Sequence, residues 1–296
     1  MPSKRTVVAL SAAALIVLAS GFFLLQIGSG GTKGSGVGTQ TRSQGSQSSS
    51  VGTQSSSGGT QINNQSKFTF LAYPGETQLI QQYGEAGDLI ILRGNGTSGG
   101  CPDASGAVQL KAEFPNLLVV QLYQKLAQIQ KCAQALPSQV DYIGYDFEPW
   151  PGYTPEWTTN QSQVANLLDQ ARAVAHEYGK KLIFTPSYVA PDEAPPLQGS
   201  WDYGALASHV DALDLQIQSF ASNIQKFKSI VGTVEGEIKS EAPGTLFFVE
   251  ISLKITNVQA SLNAYNSIAT DNVTGIILWH DPSEVAECGA FLQELR

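Results

Sequence analysis

Eight strand-like segments alternate with helix-like segments from Lys67 onward, and this alternation restricts the fold more than any other feature of the sequence. Strands that alternate with helices form parallel sheets, and eight such units are the number that closes a barrel. The strands are predicted at residues 68–73, 88–93, 117–122, 140–148, 181–186, 212–218, 246–253 and 275–279. The clearest helices are predicted at residues 162–178, 224–241 and 258–269, with a last one at 283–295. We therefore predict an α/β fold of the (β/α)₈ TIM-barrel type.

An open, doubly wound sheet is the alternative arrangement of the same elements. Such a sheet usually carries a Gly-rich phosphate-binding turn after its first strand, and the sequence YPGE at residues 73–76 is not such a turn. The part of the chain from Lys67 onward is also about 230 residues long, which is a common length for barrels. Both observations favour the barrel.

The N-terminal segment carries the pattern of a membrane anchor. Lys4 and Arg5 precede an apolar run at residues 7–27, which is about long enough to cross a bilayer as one helix. Because positive residues stay on the cytoplasmic side, residues 1–27 predict a single-pass cell-membrane protein with an extracytoplasmic C-terminal domain. A cleaved signal peptide with a small-residue site at Ala19, giving a secreted protein, is the alternative. Phe22 and the residues after it continue the apolar run past that site, which favours the anchor.

Residues 28–66 consist almost entirely of Gly, Ser, Thr and Gln, and the sequence VGTQ at residues 37–40 recurs at 51–54. A segment with so few apolar residues cannot form a core, so we predict a disordered, flexible linker. The predicted domains are therefore the anchor at 1–27, the linker at 28–66 and the barrel at 67–296. Because the linker adds no apolar periodicity to a core, we expect the barrel to fold alone as a monomer.

The charge of the chain and its few cysteines limit the possible partners. All 25 acidic residues lie from Lys67 onward, against 13 Lys and Arg, which gives this part a formal charge of −12. Such a charge repels nucleic acid, so we expect a polysaccharide or another glycan as the partner. The Cys and His residues show no ligand spacing, so we expect no metal and no cofactor, and the sequence does not indicate which of Cys101, Cys132 and Cys288 pair. Four sequons predict glycosylation, at Asn64, Asn95, Asn160 and Asn272.

The fourth predicted strand, in the sequence VDYIGYDFEPW, ends in two carboxylates. Because alternate side chains of a strand share one face, Asp146 and Glu148 lie on the same face, roughly 7 Å apart at their Cα atoms. Burial of two like charges raises the pKa of one of them, and a glycosidase uses such a pair. Pro149 ends the strand, and Trp150 offers an aromatic surface for a sugar. The structural alternative is that the two carboxylates cap the following loop.

The site of a barrel lies at the C-terminal ends of its strands. There the sequence places amides, carboxylates and aromatic rings, which can bind the hydroxyl edges and C–H faces of sugars. The seventh strand adds Glu250, for which an ion pair with Lys254 or Arg93 is the structural alternative. The predicted substrate-binding residues are Tyr73, Arg93, Gln121, Tyr123, Trp150, Tyr188, Gln216, Gln218 and Trp279.

The sequence DYIGYDFE at residues 141–148 resembles the fourth-strand signature of family 18 glycoside hydrolases, the chitinases and their relatives. The signature is D-x-x-D-x-D-x-E. Asp141, Asp146 and Glu148 match it, and Gly144 stands at its remaining acidic position. The resemblance implies that Glu148 is the general acid that protonates the glycosidic oxygen. It also implies that Asp146 orients an acetamido group of the substrate, which acts as the nucleophile.

A second resemblance implies a different nucleophile. Phe147-Glu148-Pro149 and FVEIS at residues 248–252 are similar to the barrel glycosidases that carry the acid/base on strand four and the nucleophile on strand seven. This resemblance implies that Glu250 attacks the sugar in a retaining mechanism, with Glu148 as acid/base and the two carboxyls about 5 Å apart. Phe147 stands where those enzymes carry Asn.

The sequence therefore predicts a membrane-anchored, extracytoplasmic glycoside hydrolase that cleaves a polysaccharide, with Glu148 as general acid and Asp146 as supporting carboxylate. Trp279 matches the eighth-strand Trp of family 18, whereas Gln218 and Gly144 replace the Tyr and the acidic residue of that family. These two departures define the alternative, a catalytically inactive, glycan-binding barrel of the cell envelope. A structural envelope domain without a carbohydrate site is a third hypothesis.

Overall fold

The computed structural model describes residues 67–72, 77–93, 100–190, 192–269 and 272–295. The predicted anchor, the predicted linker and the candidate residue Tyr73 lie outside these ranges. Each strand pairs in parallel with the next one along the chain, and the last pairs with the first, so that the sheet closes. The arrangement confirms the predicted parallel α/β fold of the TIM-barrel type. The strands are β1 (Lys67–Ala72), β2 (Leu89–Arg93), β3 (Leu118–Tyr123), β4 (Tyr142–Phe147), β5 (Lys181–Pro186), β6 (Ala212–Gln216), β7 (Leu246–Ser252) and β8 (Gly275–Trp279).

A helix follows every strand, and the three longest helices each begin at an Asn. The side chain of this Asn accepts a hydrogen bond from the backbone N–H three residues later, which stabilises the first turn. These three caps are Asn160, Asn223 and Asn257. The helices are α1 (Thr77–Tyr83), α2 (Ser105–Glu113), α3 (Leu126–Cys132), α4 (Gln161–Glu177), α5 (Tyr203–Ala207), α6 (Ile224–Glu241), α7 (Val258–Ile268) and α8 (Val285–Gln293).

The bounds predicted from the sequence lie within two residues of the observed ones. Two of the two-residue differences have local causes. Strand β6 ends at Gln216 rather than Gln218, because the chain turns into a short 3-10 helix at Gln218–Phe220. Helix α8 begins only after a 3-10 turn at Pro282–Glu284. Asp281 and Glu284 form a capping box around this turn, which satisfies backbone N–H groups that would otherwise lack partners.

The barrel is filled by an apolar cluster on its inner face. The strand residues that alternate with the members of this cluster, such as Ile143 and Leu213, point outward and pack against the helices. Strands that are buried on both faces are apolar almost throughout, as these are. Because the cluster fills the middle of the barrel, only residues closer to the C-terminal strand ends can line a site there. The inner cluster consists of Leu89, Ile91, Val120, Tyr142, Ile183, Ala212, Phe248 and Ile277.

Charged residues at the opposite, N-terminal strand ends stabilise the backbone. The Asp141 carboxylate accepts a hydrogen bond from the Val119 N–H at 2.7 Å and pairs with Lys111 at 2.9 Å. The Lys180 ammonium donates to three backbone carbonyls of the segment before β4, at 2.7 to 3.3 Å. Asp141, which matches the family 18 signature by sequence, therefore fastens the start of β4 and lies away from the C-terminal strand ends.

The structure decides the cysteine pairing that the sequence left open. Cys101 and Cys132, 31 positions apart, form a disulfide between the segment before α2 and the end of α3. Cys288 is a buried thiol on α8. The third cysteine therefore packs in the core.

The predictions about export and surface modification remain predictions. No helix in the part of the chain that the structure describes is long and apolar enough to cross a membrane. Two of the four sequons fall within that part, and both Asn160 and Asn272 are exposed. Asn160 Oδ1 accepts the Gln163 N–H at the start of α4, whereas Asn272 Nδ2 donates to Glu235 at 2.8 Å.

Candidate active site

Polar side chains replace apolar ones on the inner face of the barrel near the C-terminal strand ends. The position of each follows from the two-residue alternation of its strand, counted from the inner apolar cluster. This end of a parallel barrel is where ligand sites occur. Asp146 and Gln216, both selected from the sequence, are thereby brought together with Glu250. The polar inner residues are Asp146 of β4, Thr185 of β5, Asp214 and Gln216 of β6, and Glu250 and Ser252 of β7.

The Asp146 carboxylate is held by Gln216. Asp146 is 1 % exposed. Gln216 Nε2 donates to Asp146 Oδ1 at 2.9 Å and to the Thr185 carbonyl at 3.0 Å, so one amide links three neighbouring strands. A hydrogen bond inside the barrel is stronger than one in water, and this one fixes the direction of the carboxylate. Gln216, predicted to bind sugar, thus binds the carboxylate of Asp146.

The loop after β4 folds back and clamps the end of the strand. Thr154 Oγ1 donates to the Asp146 carbonyl at 2.9 Å and accepts the Glu148 N–H at 3.1 Å. Gly152, with a φ of +87°, adopts the left-handed conformation in the turn that leads to Thr154. One hydroxyl group therefore fixes the two backbone positions that carry the candidate catalytic carboxylates. No sequence pattern predicts this clamp, because a Thr in a loop broken by Pro and Gly looks like any other loop residue.

The two candidate Glu residues differ in exposure. Glu148 directly follows β4 and is half-buried, whereas Glu250 on β7 is 7 % exposed. Glu250 pairs in register with Gln216 of β6, the residue that holds Asp146. Lys254, the alternative partner considered for Glu250, forms an ion pair with Asp281 at 2.7 Å.

Asp214 is a buried carboxyl group that the sequence analysis did not select. It lies on β6 two residues before Gln216 and therefore shares the inner face, where it is 1 % exposed. Its burial, and next the charge of Asp146, raise the pKa of Asp214 well above its ordinary value. The signal was present in the sequence, since a charged residue two positions before Gln216 must lie on the same face. It was missed because only strand ends were considered.

The candidate aromatic residues have different surroundings. Trp150 is 46 % exposed and can contact a ligand. Trp279 packs against the inner apolar cluster at the end of β8, and Lys254 Nζ lies 5.1 Å from the centre of its ring. Tyr188 stacks on Tyr203, with ring centres 5.8 Å apart. One face of Tyr188 is therefore used for packing within the protein.

Gln121 and Tyr123 lie outside the site, contrary to the prediction. Val120 belongs to the inner cluster, so its neighbours on β3 point outward toward the helices. Gln121 Nε2 donates to the carbonyls of Leu92 and Leu122, at 3.2 and 3.4 Å. Burial raises the pKa of Tyr123 to about 12. Because β3 is buried on both faces, the sequence carries no sign of which face is the inner one.

The remaining candidate positions are Arg93, Gln218 and Gly144, and they differ in where they lie relative to the C-terminal strand ends. Arg93 is the last residue of β2, and Gln218 is the half-buried first residue of a 3-10 helix rather than a strand residue. Gly144 lies on the inner face of β4, where a Cβ atom would be 2.6 Å from Leu122 Cδ1. A larger side chain at this position would have to displace Leu122. Among the described residues, no group of three or more His, Cys, Asp or Glu is arranged to hold a metal ion.

Comparisons with known proteins identify the fold of the chain. Its sequence matches no protein-family model and no curated protein. A chitinase from Chromobacterium violaceum has a TM-score of 0.50 at 11 % identity, covering 78 % of this chain and 100 % of that one. A class V chitinase from Pseudomonas fluorescens has a TM-score of 0.53 at 11 % identity, covering 77 % and 98 %. A spore cortex-lytic enzyme from Bacillus megaterium has a TM-score of 0.53 at 10 % identity, covering 78 % and 73 %. These likenesses show that the chain has the TIM-barrel-like fold that occurs in chitinases and other glycosidases.

Proposed function

We propose that this chain is a glycoside hydrolase that cleaves a polysaccharide, with Glu148 as general acid and Asp146 as supporting carboxylate. The observation that carries the proposal is the pair of carboxylates at the C-terminal end of β4, one buried and one half-buried. Acid catalysis of glycoside cleavage uses such a pair, in which one carboxyl group can reach the substrate and the other is held inside the site. The barrel fold shared with chitinases supports the same proposal.

The surroundings of the pair suggest how it acts. Glu148 stands at the mouth of the barrel, where a half-buried carboxyl can hold a proton and still reach the glycosidic oxygen of a substrate. Asp146, fixed by Gln216, is suited to orient a substrate group such as an acetamido nitrogen. Trp150, two residues after Glu148, offers an exposed ring on which a sugar face can stack.

A barrel that binds glycans without cleaving them is the second candidate function. The observation that favours it is Gly144, which leaves β4 without the second inner carboxyl of the family 18 signature. Leu122 lies in the space that a side chain would enter. In this alternative, Trp150 and the polar inner residues would bind sugars, and no bond would be broken.

Hydrolysis of glycans by the full-length protein tests the proposal. We expect the release of new reducing ends from at least one member of a panel of N-acetylated and non-acetylated polysaccharides, because the carboxylate pair supplies acid catalysis. Binding on a glycan array without any release would support the second candidate instead. If the protein neither bound nor cleaved any glycan, only a structural role in the cell envelope would remain.

We further propose that residues 1–27 anchor the domain on the outer side of the cell membrane. Lys4 and Arg5 before the apolar run support this orientation. We expect the protein to sediment with membranes, to be released by detergent and not by high salt, and to be cleaved by protease added outside the cell. A mature protein whose N-terminal residue is Ser20 would contradict the anchor, although it would still be exported.

A further inference from the structure

Asp214 is a buried carboxyl group with no function in the mechanism described above. It is 1 % exposed, and no described residue forms a hydrogen bond with its Oδ1. An ionised carboxylate can only accept hydrogen bonds, so burial without donors is costly for the charged form. Asp211, three residues earlier on the same chain segment, has the donors that Asp214 lacks, because it accepts from the Leu182 N–H at 2.8 Å and pairs with Arg172 at 3.2 Å.

Asp146 and Asp214 are both in register with the same residue of β5. Asp146 pairs in register with Thr185 of β5. On its other side, β5 pairs with β6. Ile183 is in register with Ala212 and Ser187 with Gln216, so Thr185 is also in register with Asp214. Inner side chains from alternate strands of a barrel share one layer, and on β4 and β6 these are Asp146 and Gln216, which are hydrogen-bonded; Asp214 is the next inner residue of β6 below Gln216. Asp146 and Asp214 therefore lie on the inner face on either side of Thr185, with Asp214 next to the apolar cluster and Asp146 closer to the C-terminal strand ends.

Strand β4 itself does not supply a second buried carboxyl group next to Asp146. The inner position next to Asp146 toward the N-terminal end of the strand is Gly144. Leu122 Cδ1 and Val120 Cγ1 lie 2.6 and 3.1 Å from where its Cβ atom would be. Strand β6 supplies a buried carboxyl group, Asp214, that interacts with the charge of Asp146.

We propose that Asp146 and Asp214 hold one proton between them at neutral pH, carried mainly by Asp214, and that Asp214 is a positioning residue that leaves a single negative charge on this pair. The proton can move from Asp214 to Asp146 without changing the net charge inside the barrel. Asp146 can therefore change its protonation state when a substrate binds, at a small electrostatic free-energy cost. The catalytic use of the proton rests on the proposed function, whereas the presence of the proton does not.

The electrostatic surroundings agree with this assignment. Burial, and next the Asp146 charge, raise the pKa of Asp214. Among the described side chains of β4 to β7, the other charged groups near the C-terminal end of this inner face are also acidic, namely Glu148 after β4 and Glu250 of β7. Lys181 of β5 lies at the opposite end of the barrel, where its Nζ is 5.6 Å from the ring centre of Tyr142. Within the described neighbouring strands, the charges that face Asp214 therefore oppose its ionisation.

Infrared spectroscopy of the full-length protein at neutral pH tests the proposal without any substrate. We expect the absorption band of a protonated carboxyl group, and we expect this band to shift when all Asp residues carry carbon-13, which excludes Glu as its source. Asp214→Asn should remove the band, and Asp211→Asn should retain it. A wild-type spectrum without a labelled, protonated Asp would overturn the proposal even if no variant folds.

The pH dependence of thermal stability gives a second test. Because the pKa of Asp214 is raised by folding, its protonation stabilises the wild type fully below about pH 4, and this contribution is lost as the pH rises. The Tm of Asp214→Asn relative to that of the wild type should therefore increase from about pH 4 to neutral.

The matched variant Asp211→Asn should behave differently. Burial acts to raise the pKa of Asp211, but the Leu182 N–H, His176 and Arg172 outweigh it and hold the pKa below its ordinary value. The deficit of Asp211→Asn should thus stay constant from about pH 4 to about pH 5, where its partner His176 is still charged, and shrink in more acidic solution. The same pH trend in both variants, or a protonated Asp band that persists in Asp214→Asn, would overturn the proposal. Failure to cleave any glycan would contradict only the proposed function, since neither measurement uses a substrate.

Discussion

Replacement of Glu148 by Gln is expected to lower the turnover of a cleaved glycan by at least about 100-fold, the usual effect of losing a general acid. Gln keeps the shape and polarity of the side chain, but its amide cannot donate a proton to the glycosidic oxygen. Steady-state kinetics on a substrate found with the glycan panel would measure the change. Because binding is largely preserved, we expect the loss in kcat rather than in KM.

A matched control separates this effect from a general effect of removing a carboxylate. Glu177 is the exposed last residue of α4 and lies away from the C-terminal strand ends. Glu177→Gln should therefore leave turnover unchanged. If Glu148→Gln also left the turnover of a demonstrated substrate unchanged, the carboxylate pair at the end of β4 would be structural, and both mechanisms implied by the sequence would be wrong.

Replacement of Asp146 by Asn is expected to lower turnover nearly as much, by about 100-fold, if an acetamido group of the substrate is the nucleophile. In that mechanism Asp146 orients the attacking group, and Glu250→Gln should have little effect. Only N-acetylated sugars should then be cleaved. The buried position of Asp146 and its hydrogen bond from Gln216 favour this outcome, because they fix the carboxylate that must orient the substrate.

The opposite order of effects would identify Glu250 as the nucleophile. Glu250→Gln would then be the most damaging of the three changes, and a fluorinated glycoside would leave a covalent adduct on Glu250 that mass spectrometry can locate. Such an adduct would contradict the acetamido mechanism and would leave Glu148 as the acid/base of a retaining enzyme.

The positions of Asp146 and Glu148 illustrate what could be predicted about the site. Their shared face follows from the two-residue repeat of a strand, which is a property of the local backbone. The same repeat could have identified Asp214 from Gln216. It could not show that Gln216 reaches across β5 to Asp146, because this contact joins residues 70 positions apart in the chain.

The sequence by itself determined the order of the eight strands and their helices, the ends of most elements, and the residue types that gather near the C-terminal strand ends. These features depend on local periodicity and on short signals such as the Asn caps, which act within a few residues. Only the tertiary structure decided that Gln121 and Tyr123 face the helices, that Cys101 pairs with Cys132, and that Thr154 clamps the end of β4. A strand buried on both faces carries the same apolar pattern inward and outward, so the choice between the faces is made by packing between elements that are distant in the sequence.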